Sequence, residues 1–450
     1  MPYGRLRVMP APDVAALLAE LERAEPDVAD SARVAVEWLT GGEALETISQ
    51  LDVCEFLWYA LPIKVTGDRQ GIAHALGRLF ELGGMERYAA LCDSPTTTRI
   101  LRVYARDGEE AGTAAYQDAV ETTGVLPPDV PELSWSSIMG PEELGAHVAC
   151  AAALELALVS GELPQPADKA FAKGRLDLTR RWLTSPRPEL GGDCWLHRVH
   201  GERLNRWVLG RGRPRRELAQ PFEVRLHAPV APPDEPHLAS LWWLLDWAET
   251  GGVPLTQKFN VSRALVIESV ELFGWDTLSS GTVRGEADVP TLTMLREIVM
   301  TDLKAVRRTG RKLVLTPAGR RLADNPEILW TAATSALLTP AKGEHDFEIS
   351  IRESALMLLA DGAEYTYPDL CERVAEVVNG EGWRSAAGAQ VSARDLGGPM
   401  GEFQRRLDAL DLRVSCDWRS TWQLTPVGQA AALSALRTQA LRPRQYAGLG

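Results

Sequence analysis

The sequence has little lysine and no excess of positive charge. Its net charge is −13 at neutral pH and its pI is about 5.2. The chain as a whole therefore does not have the basic character of a nucleic-acid-binding protein. Any contact with nucleic acid would need a local basic patch on an acidic body.

Cysteine is also scarce, with six residues scattered along the chain and no CxxC pair. This spread is typical of reduced, buried thiols in a cytosolic protein rather than of a disulfide framework. The longest apolar run, Val148–Val159, contains Glu155 and is too short to span a bilayer. The opening stretch MPYGRLRVMPAPDV has no apolar core of a signal peptide. We therefore expect a cytoplasmic protein without membrane contact.

Motifs for catalysis and cofactor binding are missing as well. The sequence contains no GxSxG elbow and no GxxxxGK[ST] phosphate loop. The carboxylate pairs Glu109-Glu110 and Glu142-Glu143 are adjacent, so their side chains point apart on a helix. We predict no catalytic residue and no cofactor. A less favoured alternative is an enzyme whose pocket is lined by Trp58, Tyr59, Tyr88 and Trp135.

One arrangement resembles a set of metal ligands. Cys194, His197 and His200 have the spacing C-x2-H-x2-H, but a tetrahedral zinc site needs a fourth ligand and no second pair is near in sequence. A buried cysteine beside amphipathic histidines is the favoured interpretation, and we predict no metal site.

Amphipathic stretches of helical period fill the first 200 residues. We predict a helical bundle domain over 1–200, with the helices Val14–Ala24, Ser31–Leu39, Cys54–Leu61, Gly71–Leu82, Ile100–Ala105, Gly112–Thr122, Pro141–Val159 and Ala170–Leu183.

Residues 201–236 have a different character, because they are rich in arginine and end in the proline-rich stretch APVAPPDEP. We predict an extended linker here. Its Arg213, Arg215 and Arg216 are candidates for a phosphate-binding arm, because the planar guanidinium suits phosphate. The alternative is a linker whose charge only balances the acidic first domain.

The rest of the chain repeats one plan, over 237–340 and again over 341–450. In each repeat a pair of helices precedes a third amphipathic helix, Pro290 to about Leu303 and Met400–Leu410, and then a strand–turn–strand. A new helix follows, opened by LTPAG at Leu315–Gly319 and by LTPVG at Leu424–Gly428. In the second repeat, Val391–Leu396 is an alternative for the second helix.

This order of helices and hairpin resembles winged helix-turn-helix domains, in which the hairpin is the wing. The resemblance implies a mainly α fold: an N-terminal orthogonal helical bundle followed by two winged-helix domains with short β-hairpin wings. The chain also resembles an uncharacterised protein family of GC-rich bacteria, which implies an intracellular setting but no activity. That second resemblance depends on the stretches Ser94–Leu101, Met139–Glu143, Val253–Val266 and Asp288–Glu297.

Winged helices suggest DNA binding, with the third helix in the major groove and the wing on the backbone. The first wing and its flanks hold seven cations with no acid among them: Lys304, Arg307, Arg308, Arg311, Lys312, Arg320 and Arg321. The exposed face predicted for the third helix, Thr293, Arg296, Glu297 and Thr301, is mixed rather than basic. A solvated hairpin on a protein-binding domain is therefore the alternative.

The second repeat is less suited to DNA. Gln404, Arg405 and Arg406 are candidates for contacts with bases or phosphates on its third helix. Its wing, however, carries Trp418 and Trp422, which favour contact with protein.

The leading hypothesis is a non-enzymatic protein, a regulator or a subunit of a mobile-element or defence locus, that binds duplex DNA through the first wing. The rival is a protein–protein adapter or self-associating protein that uses Trp242, Trp243 and Trp247 together with the second wing.

Overall fold

The computed structural model describes residues 13–41, 45, 48–275, 283–340, 343–415 and 421–445. These residues are mainly helical, with 64% helix against 4% strand, and include a small three-stranded antiparallel sheet. The mainly α class is thus confirmed. The chain divides into two compact units, the first made of Met1–Val199 with Pro443–Gly450 and the second of His200–Arg442.

Helices account for most of the first unit. The helix predicted at Val14–Ala24 begins and ends at these residues in the structure. Asp13 caps it by accepting a hydrogen bond from the backbone N–H of Ala15. The helices are Val14–Ala24 (α1), Pro26–Thr40 (α2), Gln50–Glu55 (α3), Leu61–Lys64 (α4), Arg69–Leu82 (α5), Glu86–Cys92 (α6), Pro95–Asp107 (α7), Glu109–Thr123 (α8), Pro141–Ser160 (α9) and Phe171–Thr184 (α10). A π-helical turn, Phe56–Ala60, joins α3 to α4.

Helix α9 ends one residue beyond the predicted Pro141–Val159. Within the described ranges it is long and apolar enough by length and composition to cross a membrane, although the apolar run Val148–Val159 alone is too short. It nevertheless carries two buried acids that bind other segments of the unit. Glu155 accepts hydrogen bonds from the Gln50 backbone N–H (2.7 Å) and the Tyr88 hydroxyl (2.8 Å), and Glu143 accepts from Ser136. Such contacts are those of a core helix.

The last described residues belong to the first unit. The Arg444 N–H donates to the Ser136 hydroxyl (2.9 Å), and its carbonyl accepts from the Ser137 N–H (2.8 Å). The chain therefore returns to the loop before α9 after it has completed the second unit.

The second unit begins inside a helix, Trp195–Leu209 (α11), and contains the sheet. Its further helices are Arg213–Ala219 (α12), Phe222–Arg225 (α13), Ala239–Thr250 (α14), Arg263–Phe273 (α15), Pro290–Glu297 (α16), Pro317–Ala323 (α17), Pro326–Ser335 (α18), Asp346–Leu359 (α19), Tyr367–Gly380 (α20), Gly397–Ala409 (α21) and Pro426–Ala440 (α22). Its strands are Val253–Pro254 (β1), Val306–Thr309 (β2) and Lys312–Leu315 (β3), and a π-helical turn, Ile298–Asp302, extends α16.

Strand pairing repeats in the two halves of this unit. In the first half the sheet order is β1-β3-β2, with Val253 opposite Leu313 and Val306 opposite Leu315. In the second half single antiparallel bridges join Tyr365 to Trp422 and Arg413 to Leu424. Since Leu315 and Leu424 both begin an LTPxG motif, the bridges occupy equivalent places.

The LTPxG motif closes both hairpins by the same contacts. The threonine, Thr316 or Thr425, caps the following helix by accepting from the glycine N–H at 2.9 Å. Its own N–H donates to the carbonyl of Ala305 or Leu412, at 2.9 and 3.0 Å. A Cβ on Gly319 or Gly428 would lie 2.0 or 2.1 Å from that same carbonyl oxygen, so only glycine fits. The motif therefore fixes the helix to the base of the hairpin.

One hydrophobic core runs through the second unit, from Leu204 in α11 to Ala440 in α22. The predicted inward residues of both third helices are buried in it, namely Leu292, Leu295, Val299 and Leu303, and Met400, Phe403, Leu407 and Leu410. The alternative second helix at Val391–Leu396 is wrong, because these residues form a loop and turns and α20 is the second helix.

The prediction of an extended arm over 201–236 is wrong for its N-terminal portion. Helices α11, α12 and α13 cover most of residues 201–225, and Phe222 and Leu226 lie in the hydrophobic core. Apolar residues at helical spacing between the arginines outweigh the turn-forming effect of the glycines and Pro214. The domain bounds 1–200, 237–340 and 341–450 stay predictions.

Candidate nucleic-acid interface

The hairpin β2–β3 presents the basic cluster predicted from the sequence. All seven side chains are exposed: Lys304, Arg307, Arg308, Arg311, Lys312, Arg320 and Arg321. Within the described ranges none of them forms an ion pair with an acid. Lys312 Nζ donates to the carbonyl of Gly251 (2.8 Å), and the Arg308 guanidinium lies over the ring of Phe259 (4.2 Å to the centroid). Exposed charges of one sign that are not neutralised by ion pairs are suited to phosphate.

A loop next to this hairpin, 256–260, carries an aromatic residue to which the sequence analysis gave no role. Phe259 is 43% exposed and has a φ of +61°, which is rare for a bulky residue. The loop is closed by hydrogen bonds between Thr256 and Asn260 and between Thr256 and Phe259. Phe259 stands within the stretch VPLTQKFNVSRALV, but nothing in that stretch distinguishes an exposed phenylalanine from a core one.

Two charged residues hold this loop in place. Arg296 on α16 donates to the carbonyl of Phe259 (2.9 Å) and pairs with Glu286 at 3.1 Å. The other oxygen of Glu286, which is buried, accepts from the N–H of Val261 (2.6 Å). Burial raises the pKa of the Glu286 carboxyl, against the opposing effects of the Val261 N–H and the Arg296 charge. The Arg296 guanidinium therefore stabilises the loop 256–260 and is not available to contact bases.

Between the hairpin and α16 lies a groove of about 350 Å³. Phe259, Arg308, Met300 and Thr301 contribute to its lining, together with Arg296 and the acid Glu297. Its volume falls in the range of sites that hold small organic groups.

The third helices are less available than predicted, because α16 and α21 pack against each other. Thr293 and Glu297 are half-buried, and Thr301 is exposed. On α21, Gln404 and Arg405 are half-buried. Arg406 was predicted to be exposed, but it is fully buried and donates to Asp302 (2.7 Å) and to the carbonyl of Ala336 (3.0 Å). Its buried acid partner lies more than 100 residues away in sequence.

A second groove, of about 700 Å³, lies where these two helices meet. Its charged lining is mainly acidic, with Glu297, Glu344, Glu348 and Glu402 against Arg405. A DNA strand is repelled by such a surface. The groove beside the hairpin has Glu297 as the single acid among its described lining residues, next to Arg296 and Arg308, so the hairpin side of α16 is the better suited to nucleic acid.

The arginines of the predicted arm have separate environments. Arg213 and Arg216 are exposed; Arg213 pairs with Glu217 (2.7 Å), and Arg216 donates to the carbonyl of Leu209 (3.3 Å). Arg215 is fully buried, with Glu353 at 3.2 Å and Glu381 at 3.5 Å, and its guanidinium lies 4.4 Å from the centre of the Trp207 ring. The prediction that Arg215 contacts phosphate is therefore wrong, because the side chain has no path to solvent.

The tryptophans predicted to bind a partner are packed in the protein. Trp242, Trp243 and Trp247 are half-buried against the core of the second unit, and the indole N–H groups of Trp243 and Trp247 both donate to Glu268 (2.8 and 3.2 Å). Trp422 is completely buried, and its indole lies beside Arg413. Trp418 lies outside the described residues. Full burial removes Trp422 from the predicted partner surface, whereas Trp242, Trp243 and Trp247 are partly exposed and their contact with a partner stays a prediction.

The remaining candidate groups in the first unit do not come together. Trp58 lies in one hydrophobic cluster and donates to Thr97 (2.7 Å), whereas Trp135 packs with another cluster. His197 binds Asp193 at 3.0 Å, and Cys194 is half-buried. Among the residues that the structure describes, no group of three His, Cys, Asp or Glu residues is close enough to hold a metal ion.

A protein-family model matches part of the chain. The family described as "Y4jL N-terminal domain", which is uncharacterised, matches residues 237–328. The matched segment contains α14 to α17, the sheet and all seven cations of the basic cluster. No curated protein and no solved structure matches the chain.

Proposed function

We propose that the two repeats of the second unit are winged-helix domains and that the first binds duplex DNA through its wing. The order helix, strand, helix, helix, strand, strand, with the first strand beside the third, supports the winged-helix assignment. The observation that carries the DNA proposal is the set of seven exposed wing cations, which have no acid partners within the described stretches of the chain.

Recognition should depend on the phosphate backbone rather than on base sequence. The helix that would read bases has its charged residue Arg296 engaged with Phe259 and Glu286, and its other side borders the acidic groove. Contacts to phosphates position a protein on DNA but carry no sequence information. We therefore expect similar affinity for unrelated duplexes, with a strong dependence on salt.

The test is binding of the full chain to a fluorescent mixed-sequence duplex, measured by anisotropy at several salt concentrations. Reversing Arg307, Arg311 and Lys312 to glutamate should abolish binding at low salt. Replacing the same three by glutamine should make the negative slope of log K against log salt shallower by about 3, since each phosphate contact contributes about −0.9 to that slope.

The control variant replaces Arg373, Arg384 and Arg394, three exposed cations of the second repeat, by glutamate. It makes the same change in net charge away from the wing and should leave most of the binding. Equal loss in both reversal variants, or no binding by the wild type, would refute the proposal.

The adapter function stays a prediction. The tryptophan surface on which it depended is reduced, because Trp422 is fully buried and Trp242, Trp243 and Trp247 are half-buried against the core of the second unit.

A further inference from the structure

Phe259 has an unfavourable backbone conformation and an exposed apolar side chain, and neither stabilises the folded protein. Its φ of +61° is unfavourable for any residue with a bulky side chain, and its apolar ring is 43% exposed. The other described non-glycine residues with positive φ have structural roles. Leu238 is buried at the start of α14, and Lys304 and Asp411 hold equivalent places just before the two hairpins. Phe259 has no such role, although Arg296 and Glu286 hold its loop in place.

Comparison of the two repeats shows that the loop 256–260 is an insertion in the first repeat. Val253 of β1 and Tyr365 hold equivalent places in the pairing, and Ser262 and Thr366 precede the second helix of each repeat. Eight residues lie between Val253 and Ser262, whereas Tyr365 and Thr366 are adjacent. The extra residues thus occur only in the repeat whose wing carries the cations.

The loop, the wing and the groove together form a site for a flat aromatic group. The Phe259 ring and the Arg308 guanidinium are stacked at 4.2 Å and line the groove of about 350 Å³. Nucleic-acid bases stack on aromatic rings and on guanidinium planes when they are not already paired and stacked in a duplex. Arg307 and Arg311 on the wing and Lys258 in the loop are exposed and supply charge for the flanking phosphates.

We infer that this site takes one unpaired base of the DNA bound by the wing, stacked on the Phe259–Arg308 pair. The inference rests on the proposed function and names its preferred ligand: duplex DNA interrupted by a single extruded or bulged nucleotide. A fully paired duplex binds through the wing alone, because both faces of each of its bases are covered.

The experiment compares three probes of one sequence by fluorescence anisotropy: a paired duplex, the same duplex with a one-nucleotide bulge, and the duplex with an abasic bulge. The wild type should bind the bulged duplex about tenfold more tightly than either of the others, the order of one base–aromatic stack. With 2-aminopurine as the bulged base, binding should change its fluorescence.

Phe259→Ala and Phe259→Leu should lose the preference and the 2-aminopurine signal while keeping the affinity for paired duplex. Leucine keeps an apolar side chain but has no ring. The matched control Lys258→Ala, one residue away and also exposed, should weaken all three probes equally. Phe259→Gly should lose the preference and raise the Tm by a few degrees, since glycine tolerates positive φ.

The outcomes separate the two claims. Equal binding of the three probes by the wild type overturns the inference and leaves the wing proposal intact. A preference that persists in Phe259→Ala also overturns it. The isolated strand that carries the bulge serves as a fourth probe, and tighter binding of it than of the bulged duplex overturns the inference as well. Absence of binding to every probe overturns both claims.

Discussion

His147 on α9 should make the first unit sensitive to mild acid. The side chain is 9% exposed, and its ring meets that of Trp135 edge to face at 5.0 Å between centroids. Burial, opposed by the nearby Glu143 carboxylate, lowers the pKa of the imidazole from 6.5 to about 4. The folded protein therefore holds His147 neutral at a pH where the unfolded chain binds a proton.

The sign of the effect follows from proton binding. A histidine pKa that is lower in the folded state contributes stability that is present above the unfolded value of 6.5 and is lost as the pH falls toward about 4. Between about pH 7 and about pH 5 the loss is about 2 kcal/mol, because most unfolded chains are protonated at the lower pH and few folded ones are. The full difference, reached below both pKa values, is about 3 kcal/mol.

The assay is urea unfolding of the full chain at both pH values, followed by tryptophan fluorescence. His147→Leu should remove about 2 kcal/mol of the pH dependence of the unfolding free energy of the first unit. Cys150→Ala changes a buried neighbour on the same helix, so it should lower stability equally at both pH values. An unchanged pH dependence in His147→Leu would refute the reasoning.

Three further predictions concern stability. Gly428→Ala should lower the unfolding free energy by about 1–3 kcal/mol, because the added Cβ would overlap the Leu412 carbonyl. Gly397→Ala should be nearly neutral, because the space around its added Cβ is open. Urea titration of both variants checks the difference. Arg406→Leu should cost about 3–5 kcal/mol by leaving Asp302 buried without its partner, and adding Asp302→Leu should recover some of the loss in the same titration. A chain ending at Arg442 should lower the Tm of the first unit in calorimetry, and an unchanged Tm would contradict the anchoring role of the terminal segment.

Local patterns in the sequence were enough to predict the elements around the wing. The threonine and proline of LTPAG define a helix start, and the spacing of Leu292, Leu295 and Val299 defines a buried face. The structure confirms both, because capping and helical period act over a few residues. The close approach of Gly319 to Ala305 is a tertiary contact, so its steric reason is visible only in three dimensions.

Burial of charge could not be predicted in the same way. Arg215 and Arg406 belong to basic runs that suggest solvent or phosphate, but each is buried against an acid more than 100 residues away. Whether an arginine faces water depends on such distant partners, and single-sequence patterns do not carry that information. The same limit applies to Phe259, whose exposure depends on a loop held by Arg296.

The return of the chain to the first unit has a consequence for synthesis on the ribosome. The loop at Ser136 and Ser137 meets its partner Arg444 only after the residues of the second unit have been made. Since domains fold as units as they emerge, the second unit should reach its native state while the first unit still lacks the contacts of its terminal segment. The half that is translated first would then be the last to be completed.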